Sequence, residues 1–403
     1  MVKRLRALLP EGVATLTLAG LIGAASSFLF WLIAARRAEL NSVGRATVVV
    51  LVGSVINAVT SFGLNVGLLR AKSRTELGRV TVVSGVALSV FGSIAMSAIV
   101  GWLWPRASLA AAGVTRWALL LELVALSGSL AVSILVDTLA ASYGLARLPI
   151  LRNVGVLIVR LLVVLTYREL TVGSMVAIFA LPLLVSVVAT LPWLMHRAGL
   201  RPGTRHEATE AIRESLAAWP TSLVFSGVSL ALPLVVAVTV GPERAAVFYL
   251  LWNVALLFNS LIGAATSLGL SHTVIRDPES SVALSAQERT SVFLVAVCMA
   301  VGGALATYVF GPRYVDLGVS SVPLIALGLI PYGYLQYYVL DLRRLGRHGK
   351  AAFATSVVLF VMLVGLVILQ PDSLLVVSFV WCVASGIGMS AARARKGFFR
   401  SPV

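Results

Sequence analysis

Runs of apolar residues, each about long enough to cross a bilayer, follow one another from Gly12 almost to the C-terminus, separated by short polar turns. A transmembrane helix needs about 20 such residues to cross about 30 Å of hydrocarbon. The pattern predicts twelve spans: Gly12 to Ala34, Ala46 to Leu69, Val80 to Trp104, Trp117 to Tyr143, Val154 to Tyr167, Val172 to Met195, Leu216 to Val240, Ala245 to Ser271, Thr290 to Phe310, Val319 to Leu340, Ala351 to Leu369 and Ser373 to Ala392. The fifth is short and carries Arg160 near its middle; a start after Pro149 would lengthen it. An all-α polytopic membrane fold is expected, because a helix satisfies its own backbone groups in lipid.

Composition agrees with that medium. The 403 residues are 59% hydrophobic and 12% charged, with mean hydropathy +0.97, far more apolar than a soluble core requires. Charge then supplies an orientation, because short cytoplasmic loops retain Lys and Arg. With the N-terminus inside, 23 of the 32 basic residues fall in cytoplasmic segments, 8 in external ones, and Arg160 lies within a span. Both termini are therefore expected in the cytoplasm. The net charge of +16 follows from the same bias toward an anionic inner leaflet, and no nucleic-acid partner is expected. Lys3, Arg4 and Arg6 precede an apolar run longer than the about 7 to 15 residues of a signal peptide core, so this run reads as the first helix. Cys298 and Cys382 fall inside spans and read as packing residues.

The spans fall into two similar sets. Thr60 to Arg70 reads TSFGLNVGLLR and Thr266 to Arg276 reads TSLGLSHTVIR, 206 positions apart. Arg45 and Arg244, which open spans two and eight, are 199 apart; Asp137 and Asp341, which close spans four and ten, are 204 apart. A step of six helices preserves direction across the membrane and predicts a parallel repeat. The expected organisation is a six-helix lobe over 1–195, a cytoplasmic linker over 196–215 and a second six-helix lobe over 216–403. Within the polar stretch His196 to Trp219, Glu207 to Leu216 reads as a short surface helix running into span seven. The two copies of the motif are expected to end helices at the cytoplasmic face.

Chemistry-bearing motifs are sparse. The sequence has no phosphate loop of the G-x-x-x-x-G-K-[ST] kind, and no His, Cys, Asp or Glu group at metal-ligand spacing. No catalytic residue, cofactor or metal is expected, and external loops this short leave little room for the chemistry of a glycan polymerase or ligase.

Phe28 to Arg70, FLFWLIAARRAELNSVGRATVVVLVGSVINAVTSFGLNVGLLR, resembles the opening of Wzx-type oligosaccharide flippases of the MOP (multidrug/oligosaccharidyl-lipid/polysaccharide) exporter superfamily. Ala35-Arg36, Gly44-Arg45, and Gly63-Leu64 with Arg70 fill the places of the pattern. The resemblance implies two six-helix bundles in a V, a central cavity open to each side in turn, and movement of a polyprenyl-diphosphate-linked oligosaccharide across a bacterial cytoplasmic membrane for polysaccharide biosynthesis. Its partners would be that substrate, membrane lipids, and a polysaccharide polymerase and other export components. A MATE-like multidrug exporter and a lipid II flippase are the alternatives. Phe62 stands where relatives carry an acidic or polar residue, and Ser229 to Pro233 lacks an acid.

A diphosphate substrate needs fixed cations, and the guanidinium fork suits phosphate. Arg160 is the sharpest candidate, because an intramembrane charge faces a cavity or a partner; snorkelling or an ion pair with Glu122 are the competing readings. Arg36, Arg37, Arg45 and Arg244 flank external turns and could receive the diphosphate or simply face solvent. Tyr334 and Gln336, in the run PYGYLQYY, are candidate sugar contacts, with aromatic helix packing as the alternative. Arg70, Arg276, Asp137 and Asp341 form a candidate inner gate, closing by ion pairs across the seam between lobes, against the alternative of helix-end charges facing water.

Overall fold

The computed structural model describes residues 2–64, 68, 78–105, 114–145, 147–258, 286–344 and 348–398. Among these the fold is all helical, with a single isolated β-bridge. The helices are α1 (Val2–Arg37), α2 (Leu40–Thr60), α3 (Arg79–Leu103), α4 (Arg116–Ser142), α5 (Arg147–Thr166), α6 (Val172–Arg197), α7 (Arg205–Thr239), α8 (242–258), α9 (Ala286–Phe310), α10 (Val322–Arg344), α11 (His348–Leu369) and α12 (Leu374–Phe398). A short helix, Pro312–Gly318, and a 3-10 turn lead into α10. Eleven helical segments among the described residues are long and apolar enough to cross a membrane. The expected eighth span is described only over its first part, α8. The protein is a multi-pass membrane protein.

Span five is a full helix of 20 residues starting at Arg147. Pro149 sits in its first turn, where a missing N–H costs nothing. Span two is shorter than expected: α2 ends at Thr60, and Phe62 (φ 47°) and Gly63 (φ 66°) turn into the left-handed region. The first copy of the repeated motif therefore marks a helix break. The second copy, with Arg276, lies outside the described residues, as does Arg70.

The chain forms two compact units, Met1–Leu223 and Val224–Val403. In the first, α4 packs on α2, α3 and α6, while α5 packs on α1 and α6. In the second, α10 holds the same central place, packing on α9, α11 and α12. Helix α3 shows how membrane packing inverts the usual pattern. Thr81, Gly85, Ser89, Ser93, Ser97 and Gly101, four apart, form its buried stripe, while Phe91, Ile99 and Trp102 are exposed. Small residues let helix backbones approach, and large apolar ones face lipid at no cost. A Cβ on Gly101 would lie 2.3 Å from Leu120 Cδ2, and Ser93 shares a 3.0 Å hydrogen bond with Thr60 at the end of α2.

Candidate functional site

The interior of the first unit is polar along one face of α5. Arg152, Val156, Arg160 and Val164 are buried there at intervals of four. Arg152, which a span starting at Val154 would leave in a loop, is inside the helix. Its Nη2 donates to Asp137 Oδ2 at 2.8 Å, to Ser133 Oγ at 2.6 Å and to Asn153 Oδ1 at 3.2 Å. Nη1 donates to the Ser133 carbonyl at 3.2 Å, and Asn153 Nδ2 extends the network to the Ala19 carbonyl of α1 at 2.7 Å. Asp137, a candidate either for an ion pair across the seam or for a helix-end charge facing water, has its carboxylate held by an arginine of its own unit.

Two turns further along, Arg160 donates through Nε and Nη2 to the Phe179 carbonyl, at 3.0 and 2.5 Å, and through Nη1 to Ser26 Oγ at 3.3 Å. Its Cζ lies 4.0 Å from the Phe179 ring centroid. Phe179 lies in α6, one turn before Pro182. These contacts, rather than an ion pair with Glu122, account for the buried guanidinium. Glu122 is half-buried, and its Oε2 has no hydrogen-bond partner; Oε1 lies 3.1 Å from where a Cβ on Gly173 of α6 would stand.

In the second unit an indole serves a carbonyl that a proline frees. Trp252 Nε1 donates to the Ser229 carbonyl at 2.8 Å. That oxygen lies four residues before Pro233 and is the one whose helical donor the proline lacks. Trp252 also packs edge-on against Trp381, which is flanked by Tyr332, each with ring centroids 5.0 Å apart. Trp381 presses so closely on α10 that a Cβ on Gly328 would lie 2.3 Å from its Nε1.

The loop arginines divide. Arg37, in the last turn of α1, donates to the carbonyls of Val164, Leu165 (3.0 Å) and Tyr167 (2.8 Å), closing the C-terminus of α5. Arg244 donates to the Asp372 carbonyl, between α11 and α12. Arg37 to Leu165 and Arg244 to Asp372 both span 128 residues, and the two arginines are themselves 207 apart, close to the 206 of the repeated motif. Arg244, near the start of α8 as Arg45 is near the start of α2, thus makes a contact of the kind that Arg37 makes in the first unit. Arg45 donates to Asn41 Oδ1 at 3.1 Å, and Arg36 is exposed. Gln336 is buried, and Tyr334 packs beside Val292 and Tyr337, its hydroxyl donating to the Arg289 carbonyl at 3.3 Å. The backbone of Asp341 lies in α10; its side chain, like Arg70 and Arg276, is outside the described set.

The linker is built into the first unit. Arg79 and Val80 donate backbone N–H groups to the carbonyls of Arg201 and Pro202, at 2.7 and 3.1 Å. Thr204 and Glu207 form a reciprocal capping box at 3.3 Å each way, which starts α7. Desolvation raises the Glu207 carboxyl, but the Thr204 N–H and Arg201, 2.9 Å away, outweigh it and hold the group below its ordinary value of 4.5. The helix read over Glu207 to Leu216 and running into span seven begins at Arg205 and continues unbroken into that span as α7. The break after α2 docks on it: Phe62 lies 5.6 Å from Trp219, and a Cβ on Gly63 would meet the Ser215 carbonyl at 2.6 Å.

Known structures share this architecture almost end to end. An outward-facing multidrug resistance MATE family transporter of the MOP superfamily matches at TM-score 0.64 and 16% identity, covering 99% of each chain. The fold is that of the MATE transporters. A MATE in complex with MaL6 matches at TM-score 0.63 and 13% identity over 98% of each chain. A MOP superfamily transporter from Pyrococcus furiosus, whose binding pocket of reverse polarity suggests a different function, matches at 0.57 and 16% over 97% of this chain and 98% of that one. No family model and no curated protein matches the sequence. Among the described residues no group of three or more His, Cys, Asp or Glu could hold a metal.

Proposed function

We propose that the protein is a flippase that moves a polyprenyl-diphosphate-linked oligosaccharide across the bacterial cytoplasmic membrane by alternating access between its lobes. The observation that carries the reading is the fixed positive charge of Arg160, buried inside a spanning helix of a MATE-type fold. A guanidinium held there by the Phe179 carbonyl and Ser26 favours an anionic head group over an organic cation. Asp137, which could otherwise receive a cation, is already engaged by Arg152. Arg36 and Arg45 supply external contacts to the diphosphate, and Tyr334 and Gln336 supply contacts to the sugar. An inner gate of Arg70, Arg276 and Asp341 would recruit Asp137 only by releasing Arg152.

A MATE-like exporter of organic cations is the second reading, and Glu122 favours it, as a half-buried carboxylate with one oxygen unpartnered. Deletion of the gene separates the two. The flippase reading predicts lipid-linked oligosaccharide accumulating on the cytoplasmic side, whereas normal export with heightened sensitivity to cationic drugs contradicts it.

A further inference from the structure

A groove of about 630 Å³ runs between α5 and α6. It is open to the surrounding medium, since Leu151, Val159, Leu181 and Val185 along it are exposed. On α6 it extends from Ser174 to Thr190, about 24 Å at 1.5 Å per residue, which is most of the hydrocarbon thickness. Small side chains open it: Gly155 on α5, and Ala177 and Ala189 on α6.

The two ends differ in charge. Beyond Leu151, one turn toward the start of α5, stands Arg147; beyond Ala189, at steps of four on α6, stand Trp193 and Arg197. All three are exposed, and the Arg197 guanidinium lies 5.9 Å from the Trp193 ring centroid. Neither arginine has a carboxylate within ion-pair distance among the described residues. The opposite end is followed by Arg168 and Glu169, one of each sign. Arg152 also lines the groove, but Asp137 compensates it. The uncompensated positive end is therefore the linker end, which the basic-residue bias assigns to the cytoplasm. Tryptophan and arginine together at such a boundary suit an anionic head group of the inner leaflet.

We propose that this groove binds an anionic glycerophospholipid, with one acyl chain lying between α5 and α6 and the phosphate at Arg147 and Arg197. The proposal needs only a bilayer and not the flippase activity. Native mass spectrometry of the purified protein with phosphatidylglycerol or phosphatidylcholine added to the detergent tests it. Phosphatidylglycerol adducts should survive at least about tenfold better than phosphatidylcholine adducts, a difference of about 1.4 kcal/mol. The pair Arg147→Gln and Arg197→Gln should abolish that preference. Gly155→Leu should reduce retention of both lipids, since a Cβ there meets no atom within 4 Å and the side chain fills the groove. Should the double variant fail to fold, the glycine variant and the lipid-dependent rise in Tm of the unaltered protein decide the matter. Equal retention of the two lipids, or unchanged retention of phosphatidylglycerol in the Gly155 variant, would overturn the proposal. So would displacement of phosphatidylglycerol by polyprenyl diphosphate at equal concentration, which would assign the groove to a substrate tail.

Discussion

Arg152 of α5 and Asp137 of α4 meet at 2.8 Å inside the first unit, with the arginine side chain almost wholly buried and the aspartate about a quarter exposed. Removing one member of such a pair leaves an uncompensated charge, which costs about 3–5 kcal/mol, toward the lower end where one partner is partly exposed. Asp137→Ala should therefore lower detergent-solubilised stability by about 3 kcal/mol, read from the denaturation midpoint. The double change Asp137→Leu with Arg152→Met should recover most of that loss; a double variant as unstable as the single one would contradict the pairing.

Trp252 and Pro233 form a second testable relationship through the Ser229 carbonyl. Trp252→Phe removes the indole donor and should cost about 1 kcal/mol for an unsatisfied, part-buried acceptor. Pro233→Ala restores a helical N–H to the same oxygen. The tryptophan change should be clearly milder in the Pro233→Ala background, as a double-mutant cycle in thermal unfolding measures. Additive effects would mean that the indole matters only for packing.

At the break after α2, Gly63 combines a positive φ with a backbone neighbour at 2.6 Å from its missing Cβ. Gly63→Ala should destabilise the protein by about 1–3 kcal/mol and weaken protection of Ser215 to Trp219 in hydrogen exchange. Gly155→Ala, placed in open space, serves as the control and should leave that protection unchanged.

Glu207 gives a pH dependence with a definite sign. Its folded carboxyl is held below 4.5, so its contribution is fully present above the ordinary carboxylate value and is lost as pH falls through the lower folded value. Amide exchange of the first turn of α7 should accelerate on acidification below about pH 4. Glu207→Gln should remove most of that acceleration; an unaltered pH profile in the variant would place the titration elsewhere.

The spanning helices were legible in the sequence because lipid demands long apolar runs, and neither packing nor loops disguise them. Polar interiors were harder to read. Arg152 read as a loop residue because a charge near a boundary shortens an apolar run, although its spacing of eight from Arg160 placed both on one helical face. The Phe62–Gly63 break was hidden because an apolar sequence continues through it; the signal is the left-handed glycine. The carbonyls of Phe179 and Ser229 receive their side-chain donors from Arg160 on another helix and from Trp252 in the next one, at distances in sequence that no local pattern encodes. The contacts of Arg37 and Arg244 were likewise obscured, because each reaches a carbonyl about 130 residues away in sequence.

Reconstituted transport tests the central claim most directly. The purified protein in vesicles free of ATP should carry a fluorescent polyprenyl-diphosphate oligosaccharide from one leaflet to the other, measured by its accessibility to an impermeant reducing agent, and Arg160→Gln should slow that transfer by at least about tenfold. Vesicles that leave the labelled lipid in its original leaflet while taking up or expelling a cationic dye would contradict the account.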